Sequence, residues 1–253
     1  MNRKIALYGE PGARKTLQAR YLIESFGHEN VGIISAEQGL GTIASAIQPE
    51  HVQEVTNLDE LRKAYAWAKA KYTKPDQWVV VDGGSRIFNW VSQEVWQSVD
   101  KVYDEILSGT ARRALPDSLK PYGRFITGKD EIDGMRCWVA VGSNAQWLMD
   151  AFIKLPASLY MTFWAEKPNV DQYTKGAQFH LDLPGKGTRD AVVGSFDFIF
   201  RLVSTGKDSS KAVCRTTTTS FAKSRDDRNV YEVPDEIAEF NLAEFVKRLD
   251  GQK

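Results

Sequence analysis

Eight residues, GEPGARKT from Gly9 to Thr16, constrain this chain most, because of what stands on either side of them. Residues 4–8 are an apolar run that breaks at Gly9, and from Lys15 onward Leu17, Tyr21, Leu22 and Phe26 recur at helical spacing until Gly27. The order is strand, glycine-rich turn, helix. A second apolar run, 31–35, ends in AEQGLGT, and a third, 78–81, stops at Asp82 before Gly83 and Gly84. Between them Leu58, Leu61, Tyr65, Ala68 and Tyr72 form a helical stripe that starts after Asn57, with Glu60 three positions on as in a capping box. Strands alternating with helices predict an α/β fold of three layers, with a mostly parallel central sheet covered on both faces.

The second half is less regular. Val91, Val95, Val99, Val102 and Ile106 keep a helical stripe, after which residues 108–143 lose periodicity and read as an insertion or mobile loop. Leu148, Phe152 and Leu155 restore a short helix over 144–155, residues 159–164 read as a buried strand, and 167–190 reads as a second loop. Residues 198–203 and 211–217 follow as strands, and Leu242, Phe245, Val246 and Leu249 close the chain with an amphipathic helix. With no internal repeat and no linker, residues 1–253 are expected to form one domain.

Composition removes several classes. At 42% hydrophobic and 26% charged, the chain is neither a disordered tail nor a fibre. Thirty-three Lys and Arg balance 33 Asp and Glu, so any contact with nucleic acid must come from a local patch. Cys137 and Cys214 lie far apart with no CxxC, and His28, His51 and His180 show no ligand spacing; neither disulfides nor a transition metal is expected. The Trp residues, among them Trp90, Trp96, Trp138, Trp147 and Trp164, are expected in the core or at interfaces. The first residues form neither a signal peptide nor a membrane span, which predicts a cytoplasmic protein with no membrane partner.

Gly9 to Thr16 fit the phosphate-binding frame G-x-x-x-x-G-K-[ST] in its proper context, after a strand and at the start of a helix. Backbone N–H groups of Gly9, Glu10, Pro11, Gly12, Ala13, Arg14, Lys15, Thr16 and Leu17, less the proline, are the expected cradle for ATP. Lys15 is expected to reach the β- and γ-phosphates, and the Thr16 hydroxyl to join Mg²⁺. Position six is Arg14 where the frame has glycine, a departure expected to cost about 1 kcal/mol of backbone strain. Asp82, ending WVVVD, is placed as a Walker B aspartate that holds the magnesium.

GEPGARKT, IISAEQGLGT, WVVVDGGS, ASLYMTFWAEK and FAKSRDDRNVYEVP, in that order, resemble the RecA-like core ATPases, in particular the compact bacteriophage AAA-type proteins of phage recombination. The resemblance implies that Glu37 activates the attacking water, and that Lys223 and Arg225 reach into a neighbouring subunit's nucleotide site, so that the protein is a homo-oligomer, ring or filament. Glu166 falls where such proteins often carry a γ-phosphate sensor. It also implies two stretches facing single-stranded DNA: the first holds Arg112, Arg113, Lys120, Tyr122, Arg124, Phe125 and Lys129, the second Lys175, Lys186 and Arg189. Acidic residues in both stretches leave a solvated surface as the alternative. Against the ATPase stands a nucleotide-binding switch or structural module with little hydrolysis, for which Arg14 is the mark. A small-molecule kinase is disfavoured, because no acceptor-site or lid signature is present.

Overall fold

The computed structural model describes residues 2–37, 39–127, 131–166, 178–206, 209–225 and 231–251. Chain order is β1 (Lys4–Gly9), α1 (Lys15–Phe26), β2 (Val31–Ser35), β3 (Val52–Glu54), α2 (Leu58–Lys71), β4 (Trp78–Asp82), α3 (Gly84–Leu107), α4 (Gly134–Ile153), β5 (Ser158–Glu166) and β6 (His180–Leu181). It continues with α5 (Gly185–Ser195), β7 (Phe198–Ser204), β8 (Ser210–Val213), β9 (Lys223–Ser224), β10 (Glu236–Ile237) and α6 (Leu242–Leu249).

The strands form one sheet in the order β10-β8-β7-β1-β5-β4-β2-β3, with β6 on β5 and β9 on β7. From β7 to β3 every neighbour runs parallel, while β8, β9, β10 and β6 are antiparallel additions. β1, β2 and β4 are buried along their whole length, as strands covered on both faces must be, and so read as continuous apolar runs. One face carries α1 and α6 over Ile5, Leu7, Val31 and Phe200. The other carries α2, α3, α4 and α5 over Ala6, Tyr8, Val81 and Phe163. Asn57 caps α2 as its spacing predicts, with Oδ1 accepting from the Glu60 N–H at 2.9 Å.

Two segments differ from the expectation. The stretch expected to be a loop over 108–143 gives way at Gly134 to α4, a 20-residue helix capped by Asp133, whose Oδ1 accepts from the Arg136 N–H at 3.1 Å. Its period is hard to see because both faces are apolar. Cys137, Val141, Ala145 and Met149 are buried, whereas Met135, Trp138 and Val139 are exposed. Within 167–190, the glycines of PGKGTRD belong to α5: a Cβ on Gly142 of α4 would lie 3.3 Å from the Gly187 Cα, so these glycines serve helix packing. β8 stops at Val213, short of the 217 expected, and of the Trp residues expected in the core or at interfaces, Trp138, Trp147 and Trp164 are substantially exposed rather than in the core. Among the described residues no helix is long and apolar enough to cross a membrane.

Candidate functional site

The parallel strands end together. Ser35 pairs with Asp82, and Gly9 with Trp164, so the residues that follow β1, β2, β4 and β5 gather at one edge of the sheet. Carboxyl edges of such sheets are where ligands bind. Gly9 itself is pressed against β7: a Cβ there would lie 2.6 Å from the Leu202 carbonyl oxygen. The turn needs left-handed backbone at two positions, Gly12 at φ 82° and Arg14 at φ 66°, ψ 31°. Glycine takes that conformation freely, and Arg14 takes it at a cost of about 1 kcal/mol.

No side chain caps the start of α1 and no acidic residue stands in its first turn, so its leading N–H groups are left for an anion. The Lys15 ammonium folds back to donate to the Gly9 carbonyl at 2.9 Å and the Glu10 carbonyl at 3.3 Å. Burial pushes its pKa down, while Glu37 and Asp82 favour its charge. Behind it the fully buried Tyr160 hydroxyl donates to the Lys15 carbonyl at 2.6 Å, fixing the first turn of α1 to β5.

Asp82 is buried with both oxygens engaged. The Thr16 hydroxyl donates to Oδ2 at 3.0 Å and the Thr162 hydroxyl to Oδ1 at 2.6 Å, while the Gly83 N–H donates to the Thr162 oxygen at 2.9 Å. Glu37, just past β2, has its pKa raised by burial and by the Asp82 charge; Lys15, Arg86 and a hydrogen bond from the Trp164 side chain oppose the rise. Gly83, at φ 100°, makes room for it: a Cβ there would lie 2.8 Å from the Glu37 Cγ.

A family model described as an AAA domain matches residues 1–226. The chain belongs to that family. No curated protein matches it. The match makes the chain an AAA-type P-loop ATPase, and it spans Gly9–Thr16, Glu37, Asp82, Lys223 and Arg225 alike.

This AAA domain does not bring all the expected residues together. Lys223 and Arg225 lie toward the opposite, amino edge: the Arg225 N–H donates to the Asp197 carbonyl, and the Asp197 N–H to that of Lys4, at the start of β1. β1 runs from Lys4 to Gly9 at about 3.3 Å per residue, which puts roughly 17 Å between Arg225 and the phosphate loop. The Lys223 ammonium donates to the Val193 carbonyl at 2.8 Å, at the end of α5. Glu166, at the end of β5, is ion-paired with Arg189 of α5.

In the first DNA-facing stretch Phe125 is buried with Val99, Val102, Leu115 and Cys137 in a small third core, so it offers no stacking face. Arg112 donates to the Thr127 carbonyl and Lys120 pairs with Asp117, whereas Arg113 and Arg124 stay exposed. Lys186 and Arg189 sit on α5, and Lys129 and Lys175 lie outside the described residues.

Four residues of the site went unread in the sequence: Ser85, Arg86, Thr162 and Trp164. Thr162 carried a signal, being the one threonine inside the largely apolar run SLYMTFW. Ser85, whose hydroxyl accepts from the Trp164 N–H at 2.9 Å, and Arg86 carried none, since only the strand order brings α3 beside β5.

Proposed function

We propose that this AAA domain binds ATP with Mg²⁺ on residues 9–17 and hydrolyses it. One observation carries the reading: the Thr16–Asp82–Thr162 hydrogen-bond chain sits beside the uncapped start of α1. A hydroxyl and a carboxylate are the hard oxygen donors that Mg²⁺ takes, and Mg²⁺ commonly draws its remaining ligands from phosphate and water. Among the described residues no group of three or more His, Cys, Asp or Glu competes as a metal site. Bound Mg²⁺ supplies neutralisation of phosphate charge. Lys15 exchanges its two carbonyl partners for phosphate oxygens, and Glu37 takes the proton of the attacking water, a role its raised pKa suits.

The same reading has Lys223 and Arg225 act on a neighbouring copy in a homo-oligomer; their distance from the chain's own phosphate loop favours reach in trans over reach in cis. Single-stranded DNA is the proposed polymer in recombination or replication, contacted through the exposed Arg113 and Arg124. Arg14 in left-handed backbone favours a second reading, a module that binds nucleotide and turns it over little. Steady-state ATP hydrolysis with Mg²⁺, with and without single-stranded DNA and with Lys15→Ala as the blank, separates them. The ATPase reading expects turnover that DNA raises and the blank abolishes. Lys15-dependent binding of ATP with no turnover above the blank establishes the switch instead.

A further inference from the structure

A cleft of about 410 Å³ opens against the first turns of α1. Its walls come from three parts of the chain: Arg14 directly before α1 with Tyr21 on it, Ser210 at the start of β8, and Glu239, Asn241 and Glu244 where the chain turns into α6. Buried hydrogen bonds fix these walls to each other. The Gln18 amide donates to the Phe240 carbonyl at 3.1 Å and accepts from the Leu242 N–H at 2.8 Å, so one side chain of α1 holds the start of α6. The Phe240 N–H donates to the Ser210 carbonyl at 2.8 Å, joining that segment to the sheet. Glu239 stands in left-handed backbone at φ 47°, directly before this tied segment.

We propose that this cleft holds the ribose and base of the nucleotide whose phosphates lie on residues 9–16, an inference that rests on the nucleotide reading above. Arg14 belongs both to the phosphate loop and to the cleft wall, so the two are continuous, as the covalent link between phosphate and sugar requires. The roomier cavities do not meet that condition. One of about 630 Å³ lies among α2, α3 and α4, one of about 940 Å³ between α4 and α5 and one of about 430 Å³ at the end of α3, and no residue of the phosphate loop lines any of the three.

The wall chemistry selects the ligand. Glu239 and Glu244 present carboxylate acceptors, which match the donors of a ribonucleoside, its hydroxyls and an exocyclic amino group, and Tyr21 offers a ring. Part of this wall, from Glu239 onward, lies beyond the segment that the AAA domain model matches.

Calorimetric titration of ATP and of inorganic tripolyphosphate, each with Mg²⁺, tests the assignment in the wild type, in Glu239→Gln with Glu244→Gln, and in Lys15→Ala. Both glutamates are exposed, so the fold is expected to survive their change, and a melting curve of each variant checks it. Glu244→Gln alone serves if the double variant melts early. The expected result is at least a fivefold loss of ATP affinity in the glutamate variant with tripolyphosphate bound as in the wild type. Unchanged ATP affinity there, or a parallel loss of both ligands, overturns the cleft assignment while leaving the phosphate site in place. If Lys15→Ala binds both ligands as the wild type does, the nucleotide reading itself falls.

Discussion

The Thr162 hydroxyl serves two partners at once, donating to Asp82 and accepting from the Gly83 N–H inside a fully buried stretch. Thr162→Val keeps the shape and removes both bonds, leaving a buried N–H without its partner. The expected cost is about 1–3 kcal/mol in denaturant unfolding, with most of it restored in Thr162→Ser. The serine variant also separates orientation of the carboxylate from packing, because it keeps the hydroxyl and loses only a methyl group. Glu37 makes a prediction in pH. Burial and Asp82 raise its pKa, so the folded chain holds this proton more tightly than the unfolded chain. Its contribution to stability is therefore complete below the ordinary glutamate pKa and is lost as the pH climbs through the folded value. Glu37→Gln is expected to melt higher than the wild type at neutral pH, with the gain fading as the medium is acidified, and to bind ATP without turning it over. A gain that persists unchanged in acid would falsify the linkage.

Among the elements, α4 and α5 were the least legible and are the most closely fitted. Two glycines face each other across them, Gly142 and Gly187, and a Cβ at Gly142 would lie 3.3 Å from the Gly187 Cα. Gly142→Val is expected to push the helices apart and cost about 1–3 kcal/mol, read as a lower midpoint in urea. A sequence pattern registers such glycines as turn formers, because the reason for them lies on another helix. β1, β2, β4 and α2 were legible for the converse reason: their burial and capping are local consequences of their own residues. The third core explains a different misreading. Phe125 lies among cations in the sequence, as a stacking residue does, but α3 and the start of α4 close over it.

At the scale of the molecule, the sheet separates two groups of candidate residues by its polarity. Residues 9–17, Glu37 and Asp82 are at the carboxyl edge, while Lys223 and Arg225 are reached from the amino edge by β9, which pairs with the first residues of β7. Under the proposed reading, a cation so placed would serve a neighbour's site. Arg225→Ala is expected to lower turnover by about 10³-fold, with ATP affinity and melting of the single chain unchanged, and wild-type turnover per chain is expected to rise with protein concentration. Turnover independent of concentration and untouched by the substitution removes the trans role.

The amino-acid sequence by itself determined the phosphate loop, the aspartate that faces it and the α/β alternation. Each of these follows from chemistry within a few consecutive residues: a turn that only certain backbones make, an apolar run that ends in a charge, a stripe at helical spacing. The tertiary structure alone decided that Thr162 and Trp164 flank Asp82 and Glu37, that Lys223 spends its charge on the end of α5, and that α6 returns from the chain's end to wall a cleft beside Arg14. Those neighbours are tens to more than two hundred residues apart, and strand order and helix packing, which no local pattern encodes, bring them within hydrogen-bonding distance.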